Sequence, residues 1–253
     1  MMNMGDPRLV VIPTRDCSLR CAYCPMDKAP GRVMTEATLD GAIELLLSSG
    51  SDDLILQFFG GEALLCRDLV LAGMDRALDM AGAAGKNLGF ILSTNGVSLD
   101  DDVLGRISRL PVKVEVSVDG TPEVHNRHRK PRDPGVDSYA AATRFARDLV
   151  RSGIPHEAIM VVTPATVDRL AESFAHVASL GFRRIKVNHA LSMMWSREHK
   201  EAFARGLIEI ERRFFDRGPA ASGIEWVDLA MFTRPMLLNG EITVDHDGTI
   251  YNG

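Results

Sequence analysis

Leu9-Val-Val-Ile12-Pro13-Thr-Arg-Asp-Cys17-Ser-Leu-Arg-Cys21-Ala-Tyr23-Cys24-Pro-Met26 is the stretch whose reading decides the rest of the chain. A short apolar run of strand type leads straight into a loop that holds three of the four cysteines, spaced C-x3-C-x2-C. Three thiolates converging from one loop repel one another unless a cation neutralises them, so the spacing points to a metal site. Structural zinc is closed by four ligands, usually from two separated pairs. No second pair exists here, and the fourth cysteine, Cys66, stands far from the loop. Three thiolates on a four-iron cluster leave one iron open to a non-protein ligand, as an enzyme requires. The spacing alone leaves a zinc-knuckle-like loop as the alternative.

Working outward, the 253 residues are 45% hydrophobic and 25% charged, which suits one globular domain in the size range of α/β barrels. A net charge of −5 offers no basic excess for phosphates, so nucleic acid is not expected as a partner. The run Arg127-His-Arg-Lys130 is read as a solvated loop. No apolar run of about 18 residues exists to span a membrane. The N-terminus lacks a charged region followed by an apolar core, so it does not read as a signal peptide. Three clustered thiols and one loner are no disulfide framework, and the expected location is cytoplasmic.

Strand-like and helix-like patterns then alternate. Leu54–Phe59, Leu88–Leu92, Val112–Ser117, Ala158–Val162 and Arg184–Val187 read as further strands. Between them lie helical patterns opened by Thr35, Ser98, Ser138, Thr166 and Ser196 as candidate N-caps, with a helix over about 67–84 after the second strand. Nearly continuous apolar strands are the mark of a parallel sheet covered by helices. Six β–α units predict an α/β fold, an open or partial (β/α)6 TIM-like barrel, with a doubly wound sheet as the runner-up. Residues 1–217 form this core. Residues 218–253 are irregular and then alternate around Asp247-Gly248, as a β-hairpin does.

In parallel architectures ligands gather at the carboxyl ends of strands. Polar motifs collect there: the cysteine loop, Gly60-Gly61-Glu62, Ser93-Thr-Asn95-Gly96 and Ser117-Val-Asp119-Gly120. The glycines let backbone approach a ligand, and Glu62 suits an ammonium. Asn95 and Asp119 are read as turn-shaping. His189 falls at the mouth formed by these strand ends, and Met193-Met-Trp195 follows as candidate pocket lining.

The cysteine spacing with Tyr23 before the last cysteine, the Gly-Gly-Glu, Thr-Asn-Gly and Ser-x-Asp-Gly motifs, and His125-Asn126-x-x-Arg129 with Gly135-x-x-Ser138 resemble the radical S-adenosylmethionine superfamily. Within it they are similar to the subfamily of anaerobic sulfatase-maturating enzymes and SPASM-type peptide maturases. The resemblance implies a [4Fe-4S] cluster on Cys17, Cys21 and Cys24, with S-adenosyl-L-methionine on its open iron. An electron from the cluster would cleave the sulfonium to a 5'-deoxyadenosyl radical, which takes hydrogen from a substrate. It implies that Gly60, Gly61 and Glu62 hold the methionine amino group, and that Ser117 and Arg129 meet the carboxylate or ribose. Tyr23 is placed near the adenine, with core packing as its alternative. The implied partners are a peptide or protein side chain, with a small molecule as the alternative, and a reductant such as flavodoxin or ferredoxin.

The hairpin sequence Ile242-Thr-Val-Asp245-His-Asp247-Gly248-Thr-Ile-Tyr251 is similar to the opening of the SPASM or Twitch extension. Asn252-Gly253 stand where that pattern has Pro-Cys, so the extension is expected to be absent or truncated. Cys66 is read as a buried thiol.

Overall fold

The apolar runs fold as neighbouring strands of one sheet, and the helical patterns between them cover one of its faces. The computed structural model describes residues 7–216, 222–227 and 242–252. Its first half runs β1 (Arg8–Val11), β2 (Leu19–Cys21), α1 (Glu36–Leu47), β3 (Asp53–Phe58), α2 (Arg67–Ala83), β4 (Asn87–Thr94), α3 (Asp101–Ile107) and β5 (Val112–Ser117). There follow α4 (Pro122–His128), β6 (Arg129–Pro131), α5 (Ser138–Ser152), β7 (His156–Val162), α6 (Leu170–Ser179), β8 (Arg184–His189) and α7 (Arg197–Phe214). β9 (Glu225–Trp226), β10 (Ile242–Val244) and β11 (Ile250–Asn252) complete the described strands.

The large sheet has the order β11-β10-β1-β3-β4-β5-β7-β8-β9. From β1 to β9 every pairing is parallel and follows chain order. A doubly wound sheet would reverse its order at a switch point. Among the described residues none lies between β1 and β9, so that part of the sheet winds in one direction as a partial (β/α)6 barrel. Alternation along each strand then sorts side chains to two faces. Leu54, Leu56 and Phe58 of β3, Phe90 and Leu92 of β4, and Val112, Val114 and Val116 of β5 join the apolar core under the helices. Phe58 and Phe90 are fully buried there, their ring centroids 6.4 Å apart.

The opposite, concave face mixes apolar residues such as Val10, Ile55 and Ile91 with a polar network. Gln57, Ser93, Lys113, Glu115, Glu157 and Arg184 meet there through hydrogen bonds and ion pairs. Lys113 Nζ lies 3.0 Å and Arg184 Nε 3.3 Å from Glu157 Oε2. Burial works against Glu157, yet these two cations hold its carboxyl below the usual range.

Helix starts follow side-chain chemistry with some shifts. Thr35 accepts from Thr38 N at 3.1 Å, and Ser196 forms a reciprocal capping box with His199. The third helix is capped by Asp100 instead of Ser98, and the fifth starts at Ser138 as expected, with Asp137 as its cap. A carboxylate accepts more strongly than a hydroxyl at the positive end of a helix. Thr166 makes no cap. Its hydroxyl lies 3.1 Å from that of Thr163, and a 3-10 turn over Val167–Arg169 precedes α6.

The hairpin β10–β11 docks at the β1 edge, with β10 parallel to β1. The irregular stretch expected after Gly218-Pro219 lies outside the described residues, apart from 222–227.

Truncating Phe90 to Ala leaves a large void between β3, β4 and the helices. Urea unfolding followed by circular dichroism should show about 3–5 kcal/mol lost.

Candidate active site

The cysteine loop is clamped from both sides. β2 carries Cys21 and pairs antiparallel with β6, Cys21 opposite Arg129. Cys17 precedes this ribbon, and Cys24 follows in a turn whose N–H donates to the Cys21 carbonyl at 3.1 Å. Across the loop, Gly61 N donates to Thr14 O at 3.0 Å and Glu62 N to Asp16 O at 2.8 Å. This lacing explains the glycine pair. A Cβ on Gly61 would lie 1.9 Å from the Asp16 carbonyl oxygen, and Gly60 adopts φ +119°. The glycines thus make room for the cysteine loop's own backbone.

Cys17, Cys21 and Cys24 line a single cavity of about 930 Å³ at the carboxyl ends of the strands. Gly60, Gly61, Ser93, Asn95, Ser117, Arg129 and Tyr23 share its wall, as do Ile159, Val161 and His189. Most of the predicted site residues therefore converge. All four cysteines are free thiols. Burial pushes the Cys21 thiol up to about 11 and raises Cys17 as well. Such thiols become good ligands only when a cation enters beside them. Among the described residues, Asp245, His246 and Asp247 alone bring three ligating atoms within 4.8 Å of one another. Three thiols on one wall with no fourth cysteine beside them suit a four-iron cluster with one open iron. The donor set thus fits a cluster.

Glu62 is not on the cavity wall. Its carboxylate is buried behind it, accepting from Leu64 N at 3.3 Å, Thr94 Oγ1 at 2.8 Å and Asn95 N at 2.8 Å. Burial raises its pKa against these three donors. Through Asn95 it reaches the cysteine loop, because Asn95 Nδ2 donates to Ser18 Oγ at 3.1 Å and faces Cys17 Sγ at 3.5 Å. Asn95 also shapes its turn, accepting from Val97 N at 2.9 Å. It has both roles, and sequence reasoning found one.

Asp119 is the larger omission. Its carboxylate is buried and accepts from Arg129 Nε and Nη2, each at 2.8 Å, from Tyr23 Oη at 2.8 Å, and from Val161 N at 2.9 Å. Burial alone would raise it, but the Arg129 guanidinium holds it below the usual carboxylate range. Burial likewise opposes the Arg129 charge, and Asp119 more than restores it. One edge of the guanidinium, Nε and Nη2, is thus tied to Asp119, and the group lies 5.5 Å from the Tyr23 ring centroid. Ser138 Oγ donates to Arg129 O at 2.7 Å and to Asn126 Oδ1 at 3.0 Å, so the His-Asn-x-x-Arg and Gly-x-x-Ser motifs form one knot. The signal for Asp119 was in the sequence as an acid ten residues before an arginine. Its meaning depended on a strand pairing that sequence spacing does not reveal.

At the mouth, His189 packs edge-on against Trp195 and Phe203 at 6.0 and 6.2 Å between centroids. Leu191 is 84% and Met194 92% exposed, an unusual degree for large apolar side chains. Ser192 ties this rim to the cysteine loop by donating to Tyr23 O at 2.6 Å. Cys66 lies off the cavity, donating to Ala63 O at 3.2 Å.

Residues 11–178 match the Radical SAM superfamily, and the chain belongs to it. The family's cofactors, a [4Fe-4S] cluster and S-adenosylmethionine, are those expected from the motifs. The chain is 29% identical to the PqqA peptide cyclase of Gluconobacter oxydans over 233 residues, 88% of this chain and 61% of that protein. It is 23% identical to a cysteine-type anaerobic sulfatase-maturating enzyme of Clostridium perfringens over 194 residues, 73% of this chain and 51% of that one. The chain thus spans about half to three-fifths of these relatives' length. Native anSMEcpe with bound AdoMet superposes with a TM-score of 0.84 at 17% identity, over 98% of this chain and 74% of the other. Streptococcus suis SuiB bound to precursor peptide SuiA superposes at 0.70 and 11% identity, over 98% and 60%. At these identities the likeness is one of fold.

Replacing Asp119 with Ala strands the buried Arg129 charge and should cost about 3–5 kcal/mol in urea unfolding. A separate pH effect follows from His125, fully buried, whose Nδ1 accepts from Asp119 N at 3.4 Å. Burial, aided by Arg129, lowers its pKa from 6.5 to about 4. Folding therefore excludes a proton that the unfolded chain binds, and stability is full above pH 6.5 and declines as pH falls toward 4. His125→Gln should flatten that decline in unfolding curves measured across the interval.

Proposed function

We propose that this chain is the catalytic barrel of a radical S-adenosylmethionine enzyme that modifies a peptide or protein side chain. The observation that carries this reading is the convergence of Cys17, Cys21 and Cys24 on one cavity with the backbone of Gly60 and Gly61 and the side chains of Asn95, Ser117 and Arg129. The three cysteines would hold the cluster, and Gly60-Gly61 would present backbone to the methionine end of the cofactor. Ser117 and the free edge of Arg129 face the same volume and would meet its carboxylate or ribose. Glu62 acts from behind the wall by fixing Thr94 and Asn95. Tyr23 sets the cavity floor through Asp119. When bound, cluster and cofactor supply a radical able to remove an unactivated hydrogen atom; the protein binds, aims and excludes water.

A peptide substrate is supported by the names of the relatives, a PqqA peptide cyclase and a SuiB bound to its precursor peptide. The exposed rim of Phe59, Leu191 and Met194 suits apolar side chains flanking a target residue. Residues 1–217 are assigned as the barrel core and 218–253 as a C-terminal segment whose hairpin extends the β1 edge. A flavodoxin or ferredoxin is the proposed electron source, and a reducing cytoplasm the proposed setting. No helix among the described residues is long and apolar enough to cross a membrane.

Anaerobic reconstitution with iron and sulfide should load about four irons per chain, as a cubane cluster requires. With dithionite and S-adenosylmethionine the loaded protein should form 5'-deoxyadenosine, measured by chromatography. Ala at Cys17, Cys21 or Cys24 should abolish both, and Cys66→Ala neither. Tight stoichiometric zinc without that product overturns the reading.

A further inference from the structure

Cys24 keeps different company from its two partners. Cys17 Sγ is approached by neutral donors, Leu19 N at 3.4 Å and Asn95 Nδ2 at 3.5 Å. Cys21 stands beside Arg129, whose charge is taken up by Asp119 at 2.8 Å. Cys24 Sγ instead lies 3.2 Å from the ammonium of Lys28, four residues further along the same loop. Lys28 is half-buried on the cavity wall, and that wall contains no aspartate or glutamate. Among the described residues no carboxylate lies within ion-pair distance of it. Among the described residues Lys28 thus has no direct carboxylate partner, although the buried Glu62 and the Cys17 sulfur feel its charge at longer range.

That placement has a consequence for electron transfer. Adding an electron to a thiolate-bound cluster increases negative charge, and hydrogen bonds to sulfur and nearby cations favour the more negative state. At such short range the charge is little screened by solvent or salt. We propose that Lys28 donates to the Cys24 sulfur in the loaded site and raises the reduction potential of the cluster held by Cys17, Cys21 and Cys24. The inference rests on the reading of those cysteines given above. No feature of the sequence motifs assigns this lysine; its spacing from Cys24 gains meaning only from the fold of the loop.

The test is an electron-paramagnetic-resonance redox titration of the reconstituted full chain, without S-adenosylmethionine. Lys28→Met should lower the ratio of reduced to oxidised cluster at fixed potential about tenfold, a downward shift of about 59 mV for a one-electron couple. Lys28→Gln, which keeps an N–H donor without the charge, should fall between it and the wild type, and Lys28→Arg should stay close to the wild type. The Gln variant also decides the matter if the Met variant loses its iron. Equal midpoints in wild type, Met and Gln at equal iron content overturn this proposal alone. A shift seen only after S-adenosylmethionine is added also overturns it, because the ammonium then serves the ligand's carboxylate and not the sulfur. Wild-type protein that takes up no cluster overturns the underlying reading instead.

Discussion

The buried pair of Asp119 and Arg129 is the constraint around which the site is arranged. Such a pair adds little net stability, since removing both charges from water costs about as much as their attraction returns. What it provides is position. Asp119 stands just beyond the end of β5 and accepts from the backbone of β7, while Arg129 opens β6, which is paired with the strand bearing Cys21. One carboxylate therefore fixes the cysteine ribbon relative to two barrel strands, and the Tyr23 hydroxyl adds a third tie within the loop itself. A second acid, Glu62, performs the same office from the other side through Asn95. Neither acid needs to touch a ligand to decide where the sulfurs stand.

The barrel separates its two chemistries by strand face. Apolar residues on the convex face anchor helices, and the concave face holds a charged layer beneath the cavity. Ser93 belongs to both: it lines the cavity and donates to Glu115 Oε2 at 2.5 Å. Burial, with Glu157 close by, raises the Glu115 pKa against that hydrogen bond. A polar network of this kind specifies register, because a strand slipped by one residue would turn Lys113 or Glu157 into the apolar layer.

Much of this was legible in the sequence. The six barrel strands follow from apolar runs, and their consecutive order removes the doubly wound alternative. Gly60, Gly61, Ser117, Arg129 and Tyr23, singled out by the cysteine spacing and the strand-end motifs, line one cavity. Two kinds of information were missing. Asp119 and Asn95 sit before glycines, where local turn chemistry already accounts for them, so their long-range partners left no trace in spacing. The β2–β6 ribbon joins segments of only three residues each, too short to show a period. Glu62 was legible as part of the site, but the direction in which its carboxylate points was not. The cap of the third helix moved from Ser98 to Asp100, an aspartate two residues on.

The docking of β10 against β1 carries a consequence for how the molecule is assembled. Ile12 N donates to Val244 O at 2.9 Å, and Arg15, two residues before Cys17, bonds Asp245 at 2.8 Å across a separation of 230 residues. The edge of the strand that leads into the cysteine loop is thus completed by a segment some 230 residues further along the chain. Contacts of such long range are slow to close. The loop therefore gains this support only once the barrel strands between the two segments have been made.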